Sequence, residues 1–181
     1  MRLFLIALLF VGSAYADECP APPDYAANLE ELIAEVQKAD NEAVARAISN
    51  KMWVLWAEAP DEYSQELLDE GMSRRNASDY SGAIKALDEL VKYCPDYAEG
   101  YNQRAFVNFL RREYKAALPD LERTLELSPH HIAAMAGQAL TLMALERTGE
   151  ALVILRRALK LNPWLGERHL LPQLENMGEE I

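Results

Sequence analysis

Apolar residues recur along most of this chain at helical spacing. Ile84, Leu87 and Val91 stand three and four positions apart, on one face of a helix. The same spacing returns at Leu118, Leu121 and Leu125, and again at Leu152, Leu155 and Leu159. Each set falls 34 residues after the one before, and Ala83, Ala117 and Ala151 keep the same interval. A proline follows each run: Pro95, Pro129 and Pro163. Earlier in each unit, Leu67, Tyr101 and Met135 form one column, and Gly71, Ala105 and Ala139 another. Self-similarity of this length and content predicts stacked helical pairs, with units at 64–97, 98–131 and 132–165. The small columns let the two helices of a pair approach closely, and the large ones fill the space between pairs. Each proline ends a second helix, because the residue before it disfavours the helical region, and its fixed φ suits entry into the next element.

This pattern resembles the tetratricopeptide repeat (TPR) family. The match rests on the small residues at 71, 83, 105, 117, 139 and 151, on Tyr80, Tyr101 and Tyr114, on Ala158 and on the three prolines. Leu67 and Met135 depart from the family's aromatic, Thr148 from its tyrosine, and Leu90 and Thr124 from the alanine kept at Ala158. Pro119 falls inside a predicted helix, where it should delete one backbone bond and kink it. The resemblance implies an all-α solenoid of three tandem TPR hairpins over residues 64–165.

The flanks complete that array. Residues 24–39 and 40–59 read as an amphipathic hairpin within 24–63, with Asp40 as the second helix's N-cap. Trp53 lies 34 residues before Leu87, so the hairpin has the spacing of a degenerate repeat. It is expected to cover the array's N-terminal end, with Trp53 and Trp56 packed inward; the alternative is an aromatic binding patch. Residues 166–181 read as a C-terminal capping helix, with Leu170, Leu171 and Leu174 facing the last repeat and Pro172 bending or restarting it.

Charge and the N-terminus change the setting. Met1-Arg2 precedes nine apolar residues, Leu3 to Val11, and Ala14 and Ala16 then form a small-x-small site. Residues 1–16 are therefore read as a cleaved signal peptide, followed by a Pro-rich tail at 17–23. The apolar run is too short to span a bilayer. Asp17 and Glu18 before Cys19 lack the small residues of a lipoprotein signal. The expectation is a soluble exported chain, periplasmic in a bacterium or secreted, with no membrane insertion after cleavage. Without Arg2 it has 17 basic and 29 acidic residues, a charge of −12 that disfavours nucleic acid and anionic lipid. Export permits a bridge between Cys19 and Cys94, closing a loop of 75 residues; the alternative is two free thiols.

Catalytic patterns are absent from the sequence. His130, His131 and His169 lack metal-ligand spacing, and no phosphate loop or nucleophile motif occurs. Asn76-Ala77-Ser78 matches a glycosylation sequon, which matters only where that machinery exists. The expectation is a non-enzymatic interaction protein with no cofactor and no metal. The TPR resemblance implies a concave groove lined by the first helix of each pair. At the lining positions stand Gln65, Leu68, Met72, Arg75, Glu99, Asn102, Phe106, Phe109, Leu140 and Met143. Such a surface would take a partner protein's helix or apolar peptide. Asn102 would hold a peptide backbone and Arg75 an acidic group. The family's clamp for C-terminal carboxylates is missing, since Leu68, Met72, Gln103, Ala133 and Gly137 occupy its positions. An adaptor or assembly role in the envelope leads; a holdase for unfolded exported chains and a homo-oligomer that buries its own groove are the competing readings.

Overall fold

The computed structural model describes residues 18–179, so the expected signal peptide lies outside the described residues. Among these there are nine α-helices and no strand. They are α1 (Ala26–Val36), α2 (Glu42–Trp56), α3 (Glu62–Asn76), α4 (Tyr80–Tyr93), α5 (Ala98–Leu110), α6 (Tyr114–Leu127), α7 (Ile132–Ala144), α8 (Thr148–Leu161) and α9 (Leu171–Glu179). Pairs α3–α4, α5–α6 and α7–α8 stack in order as an all-α solenoid.

The backbone repeats the period seen in the side chains. The only described non-glycine residues with positive φ are Ser78, Arg112 and Glu146, at 62°, 63° and 60°, one in each intra-pair turn. After each, an N–H reaches five residues back: Asp79 to Arg74 O, Glu113 to Asn108 O, and Arg147 to Leu142 O, at 2.8–2.9 Å. This is the 6→1 bond of a Schellman turn, which satisfies helix-end carbonyls. Inside the pairs, Ala83, Ala117, Ala151, Leu87 and Leu155 are fully buried and Leu121 nearly so. A Cβ added to Gly71 would lie 2.7 Å from Leu87 Cδ2, so this column needs its smallest member there.

Helix ends follow local hydrogen bonding. Asn41, rather than Asp40, caps α2: its Oδ1 accepts from Val44 N–H at 3.0 Å, the reach of a side chain three residues upstream. Helix α2 ends at Trp56, short of the expected Ala59, because Ala59 precedes Pro60 and gives its N–H to Gln65 Oε1 at 2.9 Å. Asp61 and Ser64 form a reciprocal capping box on α3, and the Ser64 hydroxyl and N–H hold the Asp61 carboxyl below the ordinary aspartate range. Helix α6 runs through Pro119 without a break. A 3-10 turn at Gly166–Leu170 precedes α9, which starts afresh at Leu171 with Pro172 in its first turn. From α9, Leu174 is fully buried against Ala139, Leu142 and Leu155, closing the last repeat.

The N-terminal hairpin does not stack on the first repeat as expected. Its apolar face (Leu29, Ile33, Val36, Ala45, Ile48 and Met52) packs instead with Ile132, Leu161, Trp164 and Leu165 of the third repeat. The hairpin thus lies lengthwise across the edge where the inter-repeat turns emerge. Each turn meets it. Tyr97 donates its hydroxyl to Trp56 O at 2.9 Å. His131 stacks on the Trp56 ring with centroids 4.1 Å apart. Asn162 donates to Ser49 Oγ at 3.2 Å. At the hairpin's tip, Gln37 Nε2 donates to Lys160 O at 2.9 Å, and Arg168 pairs with Glu42 at 3.0 Å. Trp56, the last residue of α2, is held by the Tyr97 hydroxyl and the His131 ring, and in that position the hairpin's apolar face meets Ile132, Leu161 and Trp164.

Cys19 and Cys94 form a disulfide with Cα atoms 5.2 Å apart, tying the tail to the C-terminal end of α4. Both ends of the hairpin are therefore rooted near the first repeat: one through this bridge, the other through the link into α3.

Two outcomes are expected. Replacing exposed Arg112 by glycine removes the left-handed penalty and should stabilise the fold by about 0.5–1 kcal/mol in urea titration. Reducing the disulfide, which closes 75 residues, should lower stability by up to about 4 kcal/mol, read by the same titration with and without reductant.

Candidate functional site

The first helices of the pairs line a groove of about 380 Å3. Helix α3 contributes Arg75, α5 contributes Asn102, Gln103, Phe106 and Phe109, and α7 contributes Ala133, Ala136, Gly137 and Leu140. The small residues of α7 leave room above the floor, while the Phe106 ring stays 44% exposed. Phe109 is steadied edge-on against Tyr114, with centroids 5.3 Å apart. Trp53 of the N-terminal hairpin, with Leu165 and Glu167 beyond α8, also lines the groove. The docked hairpin therefore supplies part of its wall.

Five of the ten expected groove residues line this hollow: Arg75, Asn102, Phe106, Phe109 and Leu140. The other five stand elsewhere. Leu68 is fully buried in the first-repeat core, and Met72 packs against that core. Met143 packs against the third-repeat core. Gln65 serves the α2–α3 link, accepting from Ala59 N–H and donating to Asp69. Glu99, in the first turn of α5, points under the turn that carries His131. Leu165 and Glu167 were not expected there, while Gln103 was placed only at a missing clamp position and Trp53 only in the alternative of an aromatic patch. Gln103 lies one turn before Phe106 and was legible from helical spacing. The others depend on how the flanks dock.

Glu99 and His131 are the buried polar centre of the molecule, with exposures of 1% and 0%. His131 Nδ1 accepts from Ala134 N–H at 3.2 Å, capping α7. Its proton therefore sits on Nε2, which donates to Glu99 Oε2 at 2.8 Å. Asn102 Nδ2 donates to both Glu99 oxygens at 3.1–3.2 Å. Gln103 Nε2 donates to Oε1 at 2.5 Å, and Gln103 Oε1 in turn accepts from Arg75 Nη1. This chain of bonds runs from the hairpin contact at Trp56, through His131 and Glu99, to the groove at Arg75. Among the described residues no group of three or more His, Cys, Asp or Glu is placed to hold a metal ion. No described helix is long and apolar enough to cross a membrane.

Known proteins resemble this chain in sequence and in fold. A TPR repeat-containing protein of Rhizobium etli is 28% identical over 111 residues, covering 61% of this chain and 54% of that protein. The chain is thus similar to tetratricopeptide repeat proteins in sequence and shares their all-α solenoid fold. A tetratricopeptide repeat protein 36 homolog of Nematostella vectensis is 37% identical over 67 residues, 37% of each chain. The chain spans about half, or less, of the length of these relatives. No family model matches it. Among solved structures, the TPR2B domain of yeast Sti1 in its pHsp70 complex superposes with a TM-score of 0.59 at 24% identity, covering 66% of this chain and 98% of that one. The first TPR domain of Spaghetti (RPAP3), bound to the HSP90 peptide SRMEEVD, gives 0.62 at 20% identity, covering 64% and 93%. MamA from Desulfovibrio magneticus RS-1 gives 0.60 at 20% identity, covering 88% of both chains. At these identities the structural likeness establishes the fold alone.

Glu99→Ala would strand three buried donors and should cost about 3 kcal/mol or more. Arg147→Ala, at an exposed pair, should leave stability nearly unchanged. Urea titration of both variants checks the contrast.

Proposed function

We propose that this protein is a non-enzymatic protein–protein interaction module that seats a partner's helix or peptide in its concave groove. The observation that carries this reading is the half-open apolar floor, with Phe106 44% exposed between small α7 residues, which a folded solenoid would otherwise cover. The complexes of the Sti1 and Spaghetti domains are consistent with it. Within that reading we place the protein in an oxidising compartment, exported to the periplasm or beyond, as an adaptor or assembly factor of an envelope complex. The Leu3–Val11 run with Ala14 and Ala16, and the Cys19–Cys94 bridge, support export.

A photo-crosslinking residue placed at Phe109 in the native host tests the module. One discrete crosslinked partner is expected, lost when Phe106→Asp is added, with no such product from Val153, 64% exposed on α8. A ladder of many clients would favour the holdase, and a product of twice the chain's mass the self-associating form. Equal products from Phe109 and Val153 would remove the groove from the account.

A further inference from the structure

Arg75 is the basic residue among those lining the groove, and it has no carboxylate within ion-pair distance among the described residues. Six other arginines do: Arg74, Arg104, Arg123, Arg147, Arg156 and Arg168 each hold an acid. In a chain with 29 acidic residues, a half-buried guanidinium left unmatched is the exception. Its Nη1 donates to Gln103 Oε1, and its Nε and Nη2 to Asn76 Oδ1 at 3.3 and 3.0 Å; all are neutral amide oxygens. The Phe106 ring lies 5.0 Å from the guanidinium carbon. Burial pushes the guanidinium below the usual arginine range, and the charge of Glu99 opposes that.

Glu99 does not answer this cation directly. Its two oxygens are taken by His131, Asn102 and Gln103. Gln103 must turn its NH2 to that carboxylate, so its oxygen faces Arg75 and fixes the guanidinium beside the groove. Glu99 and Gln103 are thus positioning residues that hold a cation in place without neutralising it by contact. Glu167, also on the lining, disfavours a second negative charge.

We propose that Arg75 is an anion-recognition point, and that the groove takes a partner segment of apolar residues carrying one acidic side chain against it. The proposal rests on the groove being a binding face. The chain's net charge of −11 argues for a single acid rather than several.

The test selects random dodecapeptides on the full chain and on Arg75→Gln, whose fold is checked by circular dichroism. Selected peptides are expected to share apolar positions and one Asp or Glu, and the acid alone should vanish from the consensus on Arg75→Gln. A synthesised winner should lose about tenfold in affinity when its acid becomes the amide, and under about twofold of that difference should survive on Arg75→Gln. An apolar consensus without an acid, or the same acid preference on both proteins, overturns the proposal and leaves the module intact. No selected peptide at all overturns both. Sedimentation showing a dimer that Phe106→Asp dissolves would seat a second copy in the groove and also overturn it.

Discussion

The stack of Trp56 on His131 is the contact on which the rest of the arrangement depends. His131 serves three neighbours at once. Its Nδ1 caps α7, its Nε2 binds buried Glu99, and its ring carries the indole of the N-terminal hairpin, 14° from parallel. A histidine in this turn therefore joins the repeat's own helix start to a flank that the repeat pattern says nothing about. Tyr97 and Asn162, in the turns on either side, extend the contact into three anchors along one edge. Burial also pushes the Tyr97 phenol above its ordinary range, so it stays a donor to Trp56 O.

That docking shapes the groove. A hairpin stacked on α3–α4 would lengthen the solenoid and leave the hollow open along its edge. Laid across the turns, it places Trp53 on the lining together with residues from α5 and α7. Its docked apolar face and the disulfide-held tail bind it to the repeats at both ends. Stability and binding surface are thus coupled: the polar chain from His131 through Glu99 to Gln103 orders the groove's floor and the hairpin's seat together.

The repeat was legible because its causes are local. Helical spacing, small residues at the close approach and the turn prolines all lie within one period, and the pairs they imply are the pairs observed. The left-handed turns at Ser78, Arg112 and Glu146 were hidden, since no glycine or asparagine betrays them. The hairpin's seat was hidden for another reason. Its partners come from turns rather than from apolar columns, and its face is as consistent with one cover as with another. Glu99 misled by its position. A charged residue at a lining place reads as exposed until its partner, 32 residues on, is known. Leu68, Met72 and Met143 show the limit of helical phase: a side chain one step round the helix turns from the groove into the space between pairs.

The most direct measurement is a search for nuclear Overhauser contacts between the ring protons of Trp56 and His131 in the labelled protein. With the rings stacked at 4.1 Å, strong cross-peaks are expected, together with contacts from Met52 or Ile48 to Trp164. Cross-peaks from Trp56 to α3 side chains in their place, with none to His131, would put the hairpin on the first repeat and contradict the account.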